Sequence, residues 1–291
     1  MKAAIWMLGA LISFCLIAIG VRELDGALPV FQILFSRSVI GLVYISLILL
    51  SSRSKSRLSP IITTDRIGLH SVRNLFHFAG QYGWFVGLGI LPLAEVFALE
   101  FTVPVWTAIF ATVFLHEQIT ARKVAAIALG IIGVLVIVRP GYQIIDSASL
   151  IVLGAALCYA VSHTATKSLT STEDPISILF FMCAIQLPIG LVLCLPVWIT
   201  PAGVQWFWLL AIALTALSAH YCMAKAMQTA QVTTVVILDF LRLPLIAVVG
   251  VLFYAEAFEP VLLVGGALML FGNLVNVRRP APIPAEPDQP K

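Results

Sequence analysis

The stretch Tyr82–Arg139, YGWFVGLGILPLAEVFALEFTVPVWTAIFATVFLHEQITARKVAAIALGIIGVLVIVR, returns in register as Tyr221–Arg278, YCMAKAMQTAQVTTVVILDFLRLPLIAVVGVLFYAEAFEPVLLVGGALMLFGNLVNVR. An offset of 139 residues sets Glu117 on Glu256, Leu99 on Leu238, Glu100 on Asp239, Phe101 on Phe240, Ala108 on Ala247 and Phe114 on Phe253. The same offset matches Ala128-Leu129 with Ala267-Leu268, Gly133 with Gly272, and Val138-Arg139 with Val277-Arg278. Both copies are almost wholly apolar. Internal repeats of inverted topology are how many carriers build two-sided access to a central site, so the duplication points to transport.

Composition puts the chain in a membrane. Of 291 residues, 60% are hydrophobic and 11% charged, with a mean hydropathy of +1.04; a soluble domain of this size cannot hide so much apolar surface. The five cysteines (Cys15, Cys158, Cys183, Cys194 and Cys222) lie inside apolar runs with no CxxC pair or metal spacing, so they read as free thiols. No metal site and no cofactor is expected. A net charge of +3 is too slight for nucleic acid. Met1-Lys2 and the apolar run to Gly20 read as an uncleaved first helix, because the run is long and no A-x-A site follows. The polar stretches Ser51–Arg66 and Arg279–Lys291 are expected to be disordered.

A helix of roughly 20 apolar residues crosses a bilayer, which predicts spans at 3–20, 28–50, 67–90, 92–115, 121–138, 148–168, 175–198, 206–228, 231–254 and 260–277. The expected fold is all-α, ten transmembrane helices in two inverted five-helix repeats, 1–140 and 147–278, with a cytoplasmic tail at 279–291. With the N-terminus inside, the inner loops hold Arg53, Lys55, Arg57, Arg66, Arg122, Lys123, Lys167, Arg278 and Arg279, and the outer loops little beyond Arg22 and Arg139. By the positive-inside rule both termini are cytoplasmic; a bacterial inner membrane is the expected location. Arg122 and Lys123 map onto Val261 and Leu262, so the second unit has lost its basic residues where it faces outward.

These features resemble the drug/metabolite transporter superfamily, in its ten-helix EamA type. The resemblance rests on Leu91-Pro92-Leu93-Ala94, Pro104, Phe114-Leu115-His116-Glu117, Gly130–Val134 and Arg139-Pro140, and on Asp239–Pro244, Tyr254-Ala255-Glu256 and Gly266–Gly272. It covers essentially the whole chain. His70 and Arg73, with Leu91–Ala94, look most like the branch with bacterial S-adenosylmethionine and riboflavin carriers. The resemblance implies a pathway away from helices 5 and 10, whose glycines then suit a scaffold or a homodimer contact.

Ionisable residues deep in spans cost roughly 2.5–3.5 kcal/mol each on insertion scales and should face a cavity or one another. They are Arg37, Arg73, His77, Glu100, His163, Asp239 and Arg242, with His70 and His220. His70, Arg73, His77, Gln81 and Trp84 share one helix face, as a cavity wall would; a buried face that locks helices together is the other reading. Asp239 and Arg242 stand three residues apart and can pair, while Pro104 and Pro244 should kink their spans. Tyr82, Trp84, Trp106, Tyr159 and Tyr221 are candidates for stacking on a ligand; Trp198, Trp206 and Trp208 read as an interfacial belt. Glu117 and Glu256 read as surface carboxylates.

The candidate substrate-binding set is therefore Arg37, Arg73, His77, Gln81, Trp84, Glu100, Tyr159, His163, Asp239 and Arg242, with no catalytic residue. Three arginines against two carboxylates leave one positive charge for a substrate anion. On this count Arg37→Ala and Arg242→Ala should each reduce transport with the protein level in the membrane unchanged. The expected activity is secondary transport of a small zwitterionic or carboxylate-bearing metabolite, export ahead of uptake, coupled to a proton or a counter-substrate. No Walker motif supports ATP drive, and no HExxH or paired-cysteine cluster supports the rival class, a membrane enzyme.

Overall fold

Inside a bilayer a backbone amide finds no water, so long apolar segments fold as helices that satisfy their own hydrogen bonds. The computed structural model describes residues 2–52, 62, 64–100, 102–138 and 147–255, with 261, 264, 265, 267, 268, 271 and 272 of the last expected span. Among the described residues there is no strand. The helices are α1 (Lys2–Glu23), α2 (Val30–Ser52), α3 (Ile67–Ile90), α4 (Leu93–Glu100), α5 (Val103–Leu115), α6 (Ala121–Val138), α7 (Ser147–Leu169), α8 (Pro175–Cys194), α9 (Gln205–Thr229), α10 (Val232–Leu238) and α11 (Arg242–Tyr254). By length and hydropathy α1, α2, α7, α8 and α9 can each cross a bilayer. Arg53, Lys55, Arg57, Glu256 and the tail 279–291 lie outside the described residues.

Two expected spans are broken. The run 92–115 divides into α4 and α5, and 231–254 divides into α10, a 3-10 turn at Asp239–Leu241, and α11. Pro104 and Pro244 therefore do not kink continuous helices. Each stands in the first turn of a new helix, where backbone N–H groups have no intrahelical partner to lose. The repeat offset reproduces the break: α5 at Val103–Leu115 superposes in number on α11 at Arg242–Tyr254. Their caps agree as well. His116 and Ala255 both adopt the left-handed conformation (φ 53° and 51°), and their N–H groups return to Ala111 O and Gly250 O.

Packing follows the pseudo-twofold. α1 lies along α9 and α3 along α7, a pair of equivalent contacts, while α2 lies along its own counterpart α8. Small residues set these distances. A Cβ on Gly83 would meet Ile151 O at 3.0 Å, and one on Gly87 would overlap Val152 Cγ2, both in the α3–α7 contact; Gly20 stands likewise against Ile212 in α1–α9. Gly87→Ala is expected to cost about 1–3 kcal/mol by overpacking, read as a lower melting temperature in detergent, and Val152→Ala should restore most of it. Gly272 packs on α6, where a Cβ would lie 3.1 Å from Ala126 O. Gly272 of the last expected span thus contacts the fifth within the chain.

Polar clasps close both ends of the bundle. At one end Arg66 donates to Ser168 O and Oγ (2.8 and 2.6 Å), Glu173 bonds Thr64 and His70, and Lys167 Nζ donates to Met227 O and Ala230 O at the C-terminus of α9. At the other, Gln32 exchanges two bonds with the Ile199 backbone and Arg22 donates to Leu91 O. Glu117 is not the surface carboxylate its place near a helix end suggested. It is 8% exposed and caps α10 of the other repeat, accepting from Val232 N and Thr233 Oγ1 at 2.8 Å each, with Lys123 Nζ at 3.4 Å. Glu117→Ala should cost about 1–3 kcal/mol of thermal stability by leaving these donors unpaired.

Candidate functional site

The polar stripe of α3 is turned into the bundle, on the side where α3 packs along α7. Its members Arg73, His77, Gln81 and Trp84 are all buried. α2 adds Arg37, α7 adds Tyr159 and His163, and the breaks in the two discontinuous spans add Glu100, Asp239 and Arg242. Phe14, Ile17, Arg37, Gln81, Trp84, Phe85, Glu100, Tyr159, His163, His220, Met223, Asp239 and Arg242 line one pocket with about 420 Å³ of atom-free space, its opening included. In this arrangement the side chains leave room at its centre for about one water molecule. A metabolite therefore needs the walls to part.

Eight of the ten candidate residues meet at this pocket. Arg73 and His77 stand behind its wall. Arg37 Nη2 donates to Gln81 Oε1 at 2.7 Å and to Gln186 Oε1 at 2.8 Å. Gln186 Nε2 then bonds His77 Nδ1 at 2.9 Å and Asn74 Oδ1 at 3.2 Å. Both ring nitrogens of His77 thus face amide groups, Nδ1 that of Gln186 at 2.9 Å and Nε2 that of Gln81 at 3.4 Å. Arg73 donates to Asn74 Oδ1 at 2.7 Å and Thr166 Oγ1 at 3.2 Å. Among the described residues neither Arg37 nor Arg73 bonds a carboxylate.

Across the pocket the charges are matched differently. Arg242 Nη2 lies 2.7 Å from Glu100 Oε1 and 2.8 Å from Asp239 Oδ2. Its guanidinium is also sandwiched 4.6 Å from the Phe14 ring and 4.9 Å from the Phe97 ring, a double cation–π contact. Glu100 and Asp239 sit just ahead of the N-termini of α5 and α11, whose dipoles favour negative charge. Arg242 is therefore not the surplus cation that the charge count allowed it to be. The surplus falls on Arg37 and Arg73, and the pocket has two poles: an amide-held arginine on one wall, and two carboxylates around one arginine on the other.

Sequence reasoning left out Gln186, the pivot between Arg37 and His77. A lone amide inside the apolar helix α8 was its only signal. His220 stood among the deep ionisable residues but outside the candidate set; its ring centroid lies 4.6 Å from that of His77 and it lines the pocket. Phe14, Ile17, Phe85 and Met223 carried no signal against an apolar background. Of the aromatic candidates, Tyr159 stacks with His163 and Tyr82 with Phe31, while Trp106 is exposed.

Known proteins agree with this architecture. The EamA-like transporter family matches residues 1–139 and again residues 146–278. A riboflavin transporter of Vibrio cholerae is 28% identical over 93% of this chain and 91% of its own length. An S-adenosylmethionine uptake transporter of Rickettsia felis is 24% identical over 73% and 72%. The pseudopaline exporter CntI of Pseudomonas aeruginosa is 24% identical over 86% and 87%. A solved crystal structure superposes with a TM-score of 0.76 over 94% of this chain and 96% of that chain; at 18% identity this likeness shows the fold alone. Matches that run through both halves in turn leave one assignment: the chain belongs to the EamA-like transporter family, and it is a multi-pass membrane transporter of a small molecule and not an enzyme.

Proposed function

We propose that the protein is a secondary carrier that exports a small zwitterionic or carboxylate-bearing metabolite by alternating access, with both termini in the cytoplasm. The observation that carries this reading is Arg37, a guanidinium in the pocket wall held, among the described residues, by the amides of Gln81 and Gln186. Amides fix its fork without neutralising it, so a carboxylate completes the site. The opposite wall, with its two carboxylates, accepts an ammonium or another cationic group. Inverted halves that meet at this pocket, clasped by polar contacts at both ends, supply the two gates that alternating access needs.

The aromatic lining favours a second reading. Phe14, Trp84, Phe85 and Tyr159 can sandwich a flat ring, and relatives include carriers of riboflavin and S-adenosylmethionine. In that case Arg37 donates to ring carbonyls and the direction is uptake. Metabolite profiles of cells and medium, with and without the gene, separate the two. Export of a zwitterion enriches it in the medium of expressing cells, and uptake depletes it. Vesicles holding the purified protein should then exchange that solute with labelled solute outside, whereas failure of every enriched or depleted metabolite to exchange would remove the carrier reading.

A further inference from the structure

Glu100 and Asp239 hold the same place in the two repeats, 139 residues apart, each where its span is interrupted. The inversion brings them together, and both form an ion pair with the same Nη2 of Arg242. The cation has no twin, since its equivalent in the first repeat is Val103. Two carboxylates thus share one guanidinium, and the group is one positive charge short.

Three of its polar atoms are buried without a hydrogen-bond partner: Glu100 Oε2, Asp239 Oδ1 and Arg242 Nε. The Trp84 indole is a neighbour of Glu100, yet its N–H also lacks a partner at bonding geometry. Glu100 is 7% exposed, Asp239 8% and Arg242 2%, so bulk solvent screens these charges little. Leaving a carboxylate charge uncompensated in such a place is costly. The other elements around the pocket present Cys15 from α1, Arg37 from α2, Arg73 and His77 from α3, Tyr159 and His163 from α7, and His220 from α9. None of these bonds either carboxylate, and the charges that act most on the pair are its own members and Arg242. His77 is bonded to Gln186 and faces Gln81.

We propose that Glu100, Asp239 and Arg242 form a one-proton exchange site that couples transport to the proton gradient. The inference rests on the carrier reading. While the pocket is empty, one proton sits on the carboxylate pair and makes the group neutral. When a cationic group of the substrate enters, the O–H bond at Glu100 Oε2 or Asp239 Oδ1 breaks, the proton passes to water on the side to which the pocket is open, and the substrate's charge replaces it. Proton and substrate exclude one another, so they travel in opposite directions, and protons entering the cell carry substrate out.

The test needs no known substrate. Full-length protein in lipid vesicles, stepped from acid to alkaline buffer and followed by infrared difference spectroscopy, should show a buried carboxylic acid losing one proton. Glu100→Gln alone should abolish this band completely, and so should Asp239→Asn alone, because the remaining carboxylate is then balanced by Arg242. Glu117→Gln, which alters a buried carboxylate elsewhere, should keep the band. A band that survives both pocket substitutions, or halves in each, overturns the proposal, as does a wild-type protein without the band. Because the spectra do not depend on transport, a band lost in both variants of a protein that moves no solute would uphold the proton site and remove the carrier. Solute movement without the band would do the reverse.

Discussion

Arg37→Ala is expected to lower transport of the wild-type protein's solute by roughly 100-fold while the variant still reaches the membrane. A charge-assisted hydrogen bond contributes about 1.5–3 kcal/mol, and the loss of one such contact with a substrate carboxylate converts to about one to two powers of ten. The structural cost is smaller, because Arg37 bonds two neutral amides and leaves no buried charge behind. Gln81 lines the pocket and can bond water instead. Arg37→Lys should fall between, since an ammonium on a flexible stem cannot grip both glutamines and a carboxylate at once. Gln186→Leu leaves the guanidinium in place but unfastened, and should raise the concentration needed for half-maximal transport more than it lowers the maximal rate. Initial rates in vesicles, normalised to protein in the membrane, check all three. Equal rates for Arg37→Ala and the wild type would remove the anion pole.

Arg242→Gln should fail in another way, by loss of folded protein. Removing the guanidinium leaves Glu100 and Asp239 side by side in a buried site with no cation. Breaking a buried ion pair from one side costs about 3–5 kcal/mol, a large part of the stability of any domain. Abundance in the membrane and the melting temperature in detergent should both drop sharply. The triple change Arg242→Gln, Glu100→Gln and Asp239→Asn removes all three charges while keeping their shapes. It should recover abundance without recovering transport. A stable Arg242→Gln single variant would mean that water reaches the carboxylates freely. The two arginines therefore separate by readout, transport for Arg37 and folding for Arg242, although the charge count placed them on equal terms.

The α3 stripe was legible because a helix repeats its face every three to four residues and polar side chains stand out against an apolar field. The pairing of Asp239 with Arg242 was legible for the same local reason. The partnership of Arg242 with Glu100 was not, because it crosses 142 residues and no spacing rule reaches that far. Glu117 shows the same limit. Near a helix end it reads as solvated, and only the placement of α10 against it makes it a buried cap.

Sequence by itself determined the solvent, the helical form, the duplication and its inversion, because hydropathy, span length, loop charge and a fixed offset are all one-dimensional quantities. Tertiary structure alone decided where the two spans break, which arginine keeps a charge to spare, and which amide aims it. Those outcomes depend on side chains from opposite repeats meeting at the pseudo-twofold axis. In a medium that does not screen charge, whichever partner lies within bonding distance settles what each group can do.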